Sequence, residues 1–503
     1  MIRPNKLLIG TFLASVVIAS GAFTYINRND ACEQPQTKPK PISESNNVDY
    51  RKEETDNIKP TEETVRKKYV KITSSTGLRE KLSYSSERIA ILETDAECLL
   101  LDESDDSYKI RCRDGKKGWI LKDYGKPFEK DVVVRHIPKE PSGSPFSMAE
   151  TAEGENIGNI LDENGTVGAS VAIIKDGKVA YHYEYGYANK EDLDHPVPIQ
   201  ENTKYRVASV SKVFTAMLAM AEVDDGMLDL DANLSDLFGF GFYNPKYPHT
   251  PLTMRMLLTH TAGLSNKDGL YHEDLSSVAH GQEYYLALPG NRYCYSNLGL
   301  GIAGAAVEKA SGKTISQYAR DRFFEPMGID ASYDGSLLAD PSLVADCYNN
   351  GKHKRSNKVL TKPVGNKKNH PGEIYYLGQG NLFISAIDLA KVSTILLNDG
   401  MYDGRQYLRS ETVKNMLSVH PIDTKADYNQ CIGIRKSADL VHQRDMYYHT
   451  GNYYGILSLT AIDPSDKSGV IIITSGAHPT REDNTVFKVC NDVMRYCYND
   501  IIQ

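Results

Sequence analysis

The order of apolar and polar positions divides the chain into five stretches. Residues 7–26 form an almost uncharged apolar run, long enough for about 30 Å of helix, the thickness of the hydrocarbon core of a bilayer. A polar tract follows over residues 27–66, and residues 67–125 contain short apolar runs bounded by turn residues, as strands do. After a second polar linker, residues 126–149, apolar runs and helical spacing continue over residues 150–503. The pattern predicts an apolar N-terminal segment and two folded domains separated by linkers.

The N-terminal run has the features of a targeting segment. Arg3 and Lys6 precede it, and small side chains at residues 19–22 fit a signal-cleavage site. We predict that residues 1–26 are an uncleaved signal that anchors the exported chain at the outer face of the cytoplasmic membrane; secretion after cleavage is the alternative. Residues 27–66 carry too few apolar side chains to offset the entropy of ordering, which predicts a disordered linker.

The first folded stretch, residues 67–125, predicts a small all-β domain. Residues 108–112 alternate with period two and lead into Asp114-Gly115, a dipeptide that favours a tight hairpin. The second arm of this hairpin contains Trp119, the only tryptophan of the chain. We predict that Trp119 packs in the core of the domain, with contact to a ligand as the alternative.

The second folded stretch, residues 150–503, predicts an antiparallel sheet with helices. Strand patterns at residues 167–174 and 179–187 form one pair near its beginning, and those at residues 456–462 and 469–474 form another near its end. The interior between the two pairs is largely helical. Two strand pairs that flank a helical interior indicate one sheet assembled from both ends of the domain.

The composition narrows the classes of function. A formal net charge of −8 and the lack of a long basic run argue against a nucleic-acid partner. The eight cysteines include no Cys-x-x-Cys pair and no cluster with histidine at zinc spacing, so we expect no structural metal. The function must therefore be sought in motifs of other kinds.

The clearest chemistry lies in Ser209-x-x-Lys212, a tetrad that occurs once in the chain. It precedes a run with helical spacing, and residues three apart share a helix face, so the hydroxyl and the amine are expected to meet at the first turn. Serine needs an adjacent base to act as a nucleophile, and Lys212 is that base only if its pKa falls well below the ordinary value of about 10.4. The alternative is an N-cap serine followed by a surface lysine.

Two further tripeptides supply partners for this tetrad. Tyr295-Ser296-Asn297 lies in a loop that leads into a glycine-rich helix, and His449-Thr450-Gly451 stands immediately before the penultimate strand. The Tyr-x-Asn spacing alone decides nothing, because the chain has 32 tyrosines. The three motifs in this order form a specific constellation.

On these motifs, residues 150–503 resemble the penicillin-recognising serine hydrolases, the family of class C β-lactamases, D-alanyl-D-alanine carboxypeptidases, D-aminopeptidases and related esterases. The matching segments are residues 205–215, 257–264, 295–297, 378–382 and 449–451. The resemblance implies a β-lactamase/transpeptidase-like α+β fold, with an antiparallel sheet flanked by helices beside a helical region and the site in the groove between them.

The same resemblance implies roles for individual residues. Ser209 would attack a carbonyl to form an acyl-enzyme, Lys212 or Tyr295 would be the base, and Tyr295 would relay a proton to the leaving group. Backbone N–H groups of Ser209 and Asn452 would form the oxyanion hole. The residues implied to bind substrate are Asn297, His449, Thr450, Gly451 and Asn452. No metal and no cofactor is implied.

We therefore predict an exported serine hydrolase that acts on cell-wall peptides or D-amino-acid amides, like a D-Ala-D-Ala carboxypeptidase. His449 stands where many β-lactamases and carboxypeptidases have lysine, and histidine is mostly neutral at pH 7, which weakens recognition of a substrate carboxylate. An esterase or another peptidase of the family is thus the first alternative. A surface binding protein or β-lactam sensor without turnover is the second.

Residues 67–125 resemble the bacterial Src-homology-3-like domain of cell-envelope proteins. The resemblance rests on Gly77-Leu78-Arg79 and on residues 114–120. Because such domains often bind cell-wall peptide or glycan, it implies contact with the cell wall through residues 67–125, in addition to membrane contact through residues 7–26.

Overall fold

The structure, a computed structural model, describes residues 60–83, 86–113, 116–138, 143–192, 194–264, 275–276, 287–290, 292–365, 370–422, 429–481 and 486–503. The predicted signal or anchor and most of the predicted linker that follows it lie outside these ranges. Among the described residues, none of the helices combines the length and the apolar character that crossing a membrane requires.

Residues 61–136 form a seven-stranded antiparallel sheet. Its strands are β1 (Thr61–Ile72), β2 (Thr76–Arg79), β3 (Arg88–Leu92), β4 (Glu97–Glu103), β5 (Ser107–Arg111), β6 (Lys117–Leu121) and β7 (Gly125–His136). They are ordered β3-β2-β6-β5-β4-β1-β7. The strands agree with an all-β domain, whereas its membership of the Src-homology-3-like class stays a prediction.

This sheet extends into both segments predicted as linkers. β1 begins at Thr61, β7 continues to His136, and the two strands pair along their whole length of 12 residues. Residues 61–66 and 126–136 are therefore strand, and the linker prediction is wrong there. It failed because it required apolar side chains. The outer halves of these strands are mostly exposed, and backbone hydrogen bonds between them carry the pairing.

Trp119 lies outside the core of this sheet, contrary to the prediction. The core side chains are Val70, Ile72, Leu78, Leu92, Cys98, Tyr108, Ile110 and Ile120. Because successive residues of a strand face opposite sides, burial of Gly118 and Ile120 directs Trp119 to the other face. There it lines a cavity of about 330 Å³ together with Arg79 and Tyr124.

Charged side chains join this sheet to α1 (Ala152–Glu163), the first helix of the large domain. The Arg111 guanidinium donates to the Glu155 carboxylate at 2.5 Å, and Lys117 Nζ donates to Asp162 Oδ2 at 2.5 Å. Such partly exposed ion pairs contribute about 0–1 kcal/mol each and weaken as salt rises. The contact between the small sheet and the large domain is therefore polar and sensitive to ionic strength.

Among its described residues, the large domain has fifteen strands, β8 to β22. Within the same residues, nine α-helices, α2 to α10, follow α1. The strands are β8 (Phe146–Ser147), β9 (Gly168–Lys175), β10 (Lys178–Asn189), β11 (Val197–Pro198), β12 (Lys204–Arg206), β13 (Cys347–Asn349), β14 (Lys352–Arg355), β15 (Phe383–Ser385), β16 (Met401–Tyr402), β17 (Arg405–Gln406), β18 (Asn429–Gln430), β19 (Arg435–Ser437), β20 (Met446–Tyr453), β21 (Ile456–Asp463) and β22 (Ser468–Ser475). The helices are α2 (Ser211–Asp224), α3 (Leu234–Phe238), α4 (Met254–Leu258), α5 (Asn297–Ser311), α6 (Ile315–Ala319), α7 (Asn357–Leu360), α8 (Ala386–Leu397), α9 (Ser410–Leu417) and α10 (Lys488–Tyr496).

One sheet organises the large domain, in the order β11-β10-β9-β22-β21-β20-β19-β18, and β8 pairs with β10. The antiparallel pairing of β9 with β22 joins the two ends of the domain, as predicted. Both faces are covered by helices. In β22, Ile471 and Ile473 belong to the core that contains α2 and α8, while Val470 and Ile472 belong to the core that contains α1 and α10. The α+β fold with helices on both faces of the sheet is thus confirmed.

Candidate active site

Ser209 lies in the turn between β12 and α2. Residues 208–210 form a turn of 3₁₀-helix and α2 begins at Ser211, so Ser209 precedes the helix instead of standing in its first turn. Ala208 has a φ of +49°, a left-handed conformation that is uncommon for residues other than glycine. Ala208 and Val210 are buried while Ser209 is partly exposed. The turn therefore presents the serine hydroxyl and hides its neighbours.

The amine of Lys212 is buried and reaches that hydroxyl. Lys212 Nζ lies 2.9 Å from Ser209 Oγ and 2.5 Å from the carbonyl oxygen of Gln379, to which it donates. Burial lowers the pKa of Lys212 below its ordinary value, and the nearby Arg435 lowers it further, whereas Tyr295 acts in the opposite direction. A lysine in this setting holds its neutral form more readily than a surface lysine and is suited to accept a proton.

Tyr295 approaches the same hydroxyl from another direction. Its phenol donates to Ser209 Oγ at 3.1 Å, and its ring centroid lies 5.3 Å from Lys212 Nζ. Burial alone would raise the pKa of Tyr295, but Lys212, the hydrogen bond with Ser209 and Arg435 together lower it below the ordinary value. The structure thus brings three predicted residues, Ser209, Lys212 and Tyr295, into one contact.

The loop that carries Tyr295 is held at Ser296, through both its side chain and its backbone N–H group. Ser296 caps α5, since its side chain accepts from Gly299 N at 3.0 Å, and Asn297 is the first residue of that helix. His260 accepts from Ser296 N at 3.1 Å through Nδ1 and is buried against the Tyr295 ring, with centroids 4.5 Å apart. His260 therefore supports the loop. The binding of substrate by Asn297 stays a prediction.

The third motif lies on an open edge of β20. β19 pairs with β20 only as far as Tyr448, so residues 449–453 present their outer edge to the turn of Ser209. Gly451 packs directly on that turn. A Cβ there would lie 2.5 Å from the carbonyl oxygen of Val207 and 2.3 Å from Ser458 Oγ, so only glycine allows this approach. Asn452 follows on the same edge and is exposed.

His449 is buried and neutral. Its Nδ1 lies 2.8 Å from the carbonyl oxygen of Thr450, which assigns the proton to Nδ1. Burial, followed by the positive charges of Arg435 and Lys212, holds the pKa of His449 well below its ordinary value. Its ring lies 6.4 Å from that of Tyr295. His449 supplies shape and hydrogen bonding at this edge and carries no positive charge.

Two functional groups were missed at the sequence level. The carbonyl oxygen of Gln379 fixes Lys212, although residues 378–382 had been noted only as a matching segment. Arg435, opposite Tyr448 in the β19–β20 pair, is buried and places its guanidinium 5.3 Å from the Tyr295 ring centroid. Its position before the His-Thr-Gly strand would have been the only signal, because no motif surrounds it.

The described residues contain no group of three or more histidine, cysteine, aspartate or glutamate side chains placed to hold a metal ion. The described part of this site brings together a serine hydroxyl, an amine, a phenol and a guanidinium. These groups suit the transfer of an acyl group from a carbonyl compound to the hydroxyl.

Comparison with known proteins gives concordant results. A family model described as beta-lactamase matches residues 154–489. The chain is 26% identical over 357 residues to a beta-lactamase from Providencia stuartii, a match that covers 66% of this chain and 88% of that protein.

Two solved structures share the fold. One is a D-alanine carboxypeptidase from Burkholderia cenocepacia, with a TM-score of 0.52 and 18% identity over 69% of this chain and 98% of that chain. The other is a D-amino acid amidase from Ochrobactrum anthropi, with a TM-score of 0.55 and 21% identity over 69% of this chain and 99% of that chain.

Proposed function

The chain belongs to the beta-lactamase family, and on that premise we propose that it is an exported serine hydrolase that forms an acyl-enzyme on Ser209 and acts on cell-wall peptides or D-amino-acid amides, as a D-Ala-D-Ala carboxypeptidase does. One observation carries the proposal: Ser209 Oγ lies within hydrogen-bond distance of both Lys212 Nζ, at 2.9 Å, and the Tyr295 hydroxyl, at 3.1 Å. A serine in hydrogen-bond contact with two groups whose pKa values are lowered has the environment of a nucleophile.

In the proposed reaction Ser209 Oγ attacks the substrate carbonyl carbon. Its proton passes to Lys212 or Tyr295, and the backbone N–H groups of Ser209 and Asn452 stabilise the developing oxyanion. Tyr295 then protonates the departing amine, which leaves the acyl group on Ser209. A water molecule attacks the ester in the second half of the reaction, and the carboxylic acid product departs.

The position and charge of Arg435 favour a substrate whose leaving group carries a carboxylate. His449 does not supply the cation for such a carboxylate, because burial keeps its pKa well below the ordinary value and the ring neutral. Arg435 supplies a permanent positive charge beside Tyr295, the residue proposed to protonate the leaving group. We therefore place the C-terminal carboxylate of a D-amino-acid leaving group near Arg435, which favours the peptidase over the esterase.

We expect Arg435→Met to affect substrates according to their leaving group. Loss of a charged hydrogen bond should lower kcat/KM for a D-Ala-D-Ala peptide by roughly 10- to 100-fold. A neutral ester should lose much less. Because Arg435 lowers the pKa of Lys212 and of Tyr295, its removal raises both, and the acid limb of the pH–rate profile should move to higher pH.

Lys436→Met is the matched control for this variant. Lys436 is adjacent on β19, faces the opposite side, and pairs with Asp445. An equal loss for the peptide and the ester, or an equal effect in the control, would contradict the role given to Arg435.

A substrate panel tests the function itself. D-Ala-D-Ala peptides, D-amino-acid amides, a chromogenic cephalosporin and a short acyl ester should be offered to the full chain, with Ser209→Ala as control. Turnover of peptides or amides supports the proposal. Turnover of the ester alone favours an esterase, and a covalent adduct that never clears favours a binding protein or sensor.

Contact with the cell wall through residues 67–125 is a further part of the proposal. The partly exposed Trp119 and the cavity beside it support it. Since Trp119 is the only tryptophan of the chain, indole fluorescence reports on this cavity alone. Soluble wall fragments added to the Ser209→Ala variant should shift the emission saturably, and Trp119→Phe should bind them less tightly. An unchanged emission together with unchanged binding would contradict wall contact at this face.

We also propose that residues 1–26 export the chain and that residues 7–26 hold it at the outer face of the cytoplasmic membrane. The basic residues before a long apolar run in the sequence support this location. A tagged full chain should remain with the membranes of fractionated cells and be cleaved by protease added outside. Recovery of uncleaved chain from the cytoplasmic fraction would contradict export.

A further inference from the structure

Two arginines and two tyrosines form a continuous row of cation–ring and ring–ring contacts beside the turn of Ser209. The Arg206 guanidinium lies 3.7 Å from the ring centroid of Tyr453, the rings of Tyr453 and Tyr454 are 4.7 Å apart and nearly perpendicular, and the Arg355 guanidinium lies 4.6 Å from the ring centroid of Tyr454. We call these four residues the Arg–Tyr row. None of them has a role in the proposed acylation chemistry.

The row is fixed to the catalytic turn at one end. Arg206 stands three residues before Ser209, and its side chain donates to the carbonyl oxygen of Gly380 at 3.0 Å and to the side-chain oxygen of Asn381. Tyr453 directly follows Asn452, the residue proposed to contribute to the oxyanion hole. The first half of the row therefore borders the position of the reacting carbonyl.

The other end of the row is held in an unfavourable backbone conformation. Tyr454 and Gly455 form the two-residue turn between β20 and β21, with φ values of +48° and +94°. Such a turn favours asparagine or glycine at its first position, and a bulky residue there costs free energy. Tyr454 is nonetheless 46% exposed, so burial of this residue does not offset the cost.

Arg355 holds a positive charge at this end. Its guanidinium donates to the Tyr454 hydroxyl at 3.1 Å, and among the described residues no carboxylate forms an ion pair with it. Because the hydroxyl accepts this hydrogen bond, its own proton is free to be donated to a ligand. A guanidinium beside a phenol that can donate matches the geometry of a carboxylate.

The order of residues along β20 indicates which portion of the substrate lies next to the Arg–Tyr row. The turn of Ser209 packs on Gly451, from which His449 and Tyr453 lie two residues away in opposite directions, about 7 Å each at the rise of a strand. Tyr295 lies on the His449 side, with rings 6.4 Å apart, and protonates the leaving group there. The acyl portion of the substrate accordingly extends towards Tyr453.

We propose that the Arg–Tyr row is an acyl-side subsite that binds a carboxylate on the acyl portion of the substrate, with Arg355 and the Tyr454 hydroxyl as its direct contacts. Arg206 adds positive potential but is already engaged by the backbone and side chain of residues 380–381. The inference rests on the proposed function, because the direction of the substrate follows from the role of Tyr295. The substrates expected from this subsite are acyl donors whose acyl portion carries an acidic side chain or a terminal carboxylate.

The test uses two substrates with the same chromogenic leaving group. One acyl chain ends in a carboxylate and the other in a carboxamide of equal length. Wild type should prefer the carboxylate, and Arg355→Gln should lower kcat/KM for it roughly tenfold, mainly through KM, as expected for one lost charge-assisted hydrogen bond. The carboxamide should be unaffected, and Arg355→Lys should retain part of the preference.

Lys354→Gln is the matched control, because it removes the same charge from the adjacent, exposed position of β14. An equal loss for both substrates, or the same loss in the control, would overturn the inference.

Binding of both acyl compounds to the Ser209→Ala variant gives a readout that does not require turnover. If the Ser209→Ala variant binds the carboxylate more tightly and the added Arg355→Gln substitution removes this preference, the result supports the subsite without any measurement of catalysis. Equal affinities for the two compounds with Arg355 present would overturn it. Failure of wild type to form an adduct on Ser209 would contradict the proposed function and is thus distinguishable from failure of the subsite.

Discussion

Ser209→Ala is expected to abolish turnover, with a fall in kcat of roughly 10⁴- to 10⁶-fold, the range that loss of the nucleophile produces in serine hydrolases. The variant retains Lys212 and Tyr295 but has no oxygen to attack the carbonyl, so no acyl-enzyme forms. Steady-state rates on the best substrate of the panel measure the loss. The fold should be unaffected, because Ser209 is partly exposed and alanine fits the same turn.

Ser211→Ala provides a matched control two residues away. The Ser211 hydroxyl donates to the carbonyl oxygen of Ala208 at 2.6 Å and accepts from Leu382 N at 3.0 Å, inside the protein. Its removal should cost about 1–3 kcal/mol of unfolding free energy and leave the acylation chemistry in place. If Ser209→Ala kept more than a tenth of the wild-type rate, or if Ser211→Ala were the inactive variant, the assignment of the nucleophile would be wrong.

Lys212→Met is expected to give the second-largest loss, a fall in kcat/KM of about 10²- to 10⁴-fold, because loss of a positioned proton acceptor commonly has this effect. Methionine nearly fills the same volume without the amine. Burial of the amine costs free energy in the folded protein, and its removal offsets the loss of the hydrogen bond to the Gln379 carbonyl oxygen. The melting temperature should therefore change little. Activity and stability should therefore separate in this variant.

The pH dependence of stability gives an independent check on Lys212. Its pKa is lowered in the folded protein, so the unfolded state binds more protons, and stability should rise with pH between the folded pKa and the ordinary lysine value. Lys212→Met should lack this rise. Thermal unfolding of both proteins across alkaline pH measures the difference. Equal slopes for the two proteins would contradict a lowered pKa at Lys212.

The large domain was predictable because its signals are local and strong. Uninterrupted apolar runs such as those of β21 and β22 predict strands that are buried on both faces of a sheet. In the structure, helices cover both faces of this sheet. Lys212 was predictable as a partner of Ser209 because three-residue spacing fixes their separation within one turn. Tyr295 was harder, since a phenol brought in from a distant loop depends on the whole fold.

Other features depend on contacts that residue patterns do not encode. The outer half of β1 is polar and became strand only because β7 pairs with it. Trp119 was predicted to pack in the core, yet the buried neighbours on both sides turn it outward. Gln379 acts through its backbone carbonyl, which any residue possesses, and Arg435 acts from a strand that carries no motif. The contributions of backbone groups, and of charges that act from distant strands, therefore cannot be predicted from residue patterns.

The most direct test of the central claim is the intact mass of the protein after brief reaction and acid quench. A D-amino-acid amide should add the mass of its acyl group to the wild-type chain, and a β-lactam should add its whole mass, because its amine stays attached after ring opening. Peptide mapping should place either mass on Ser209. Arg435→Met should acylate more slowly and at the same residue, and Ser209→Ala should gain no mass. Absence of an adduct with every substrate that turns over, or an adduct on another residue, would contradict the account.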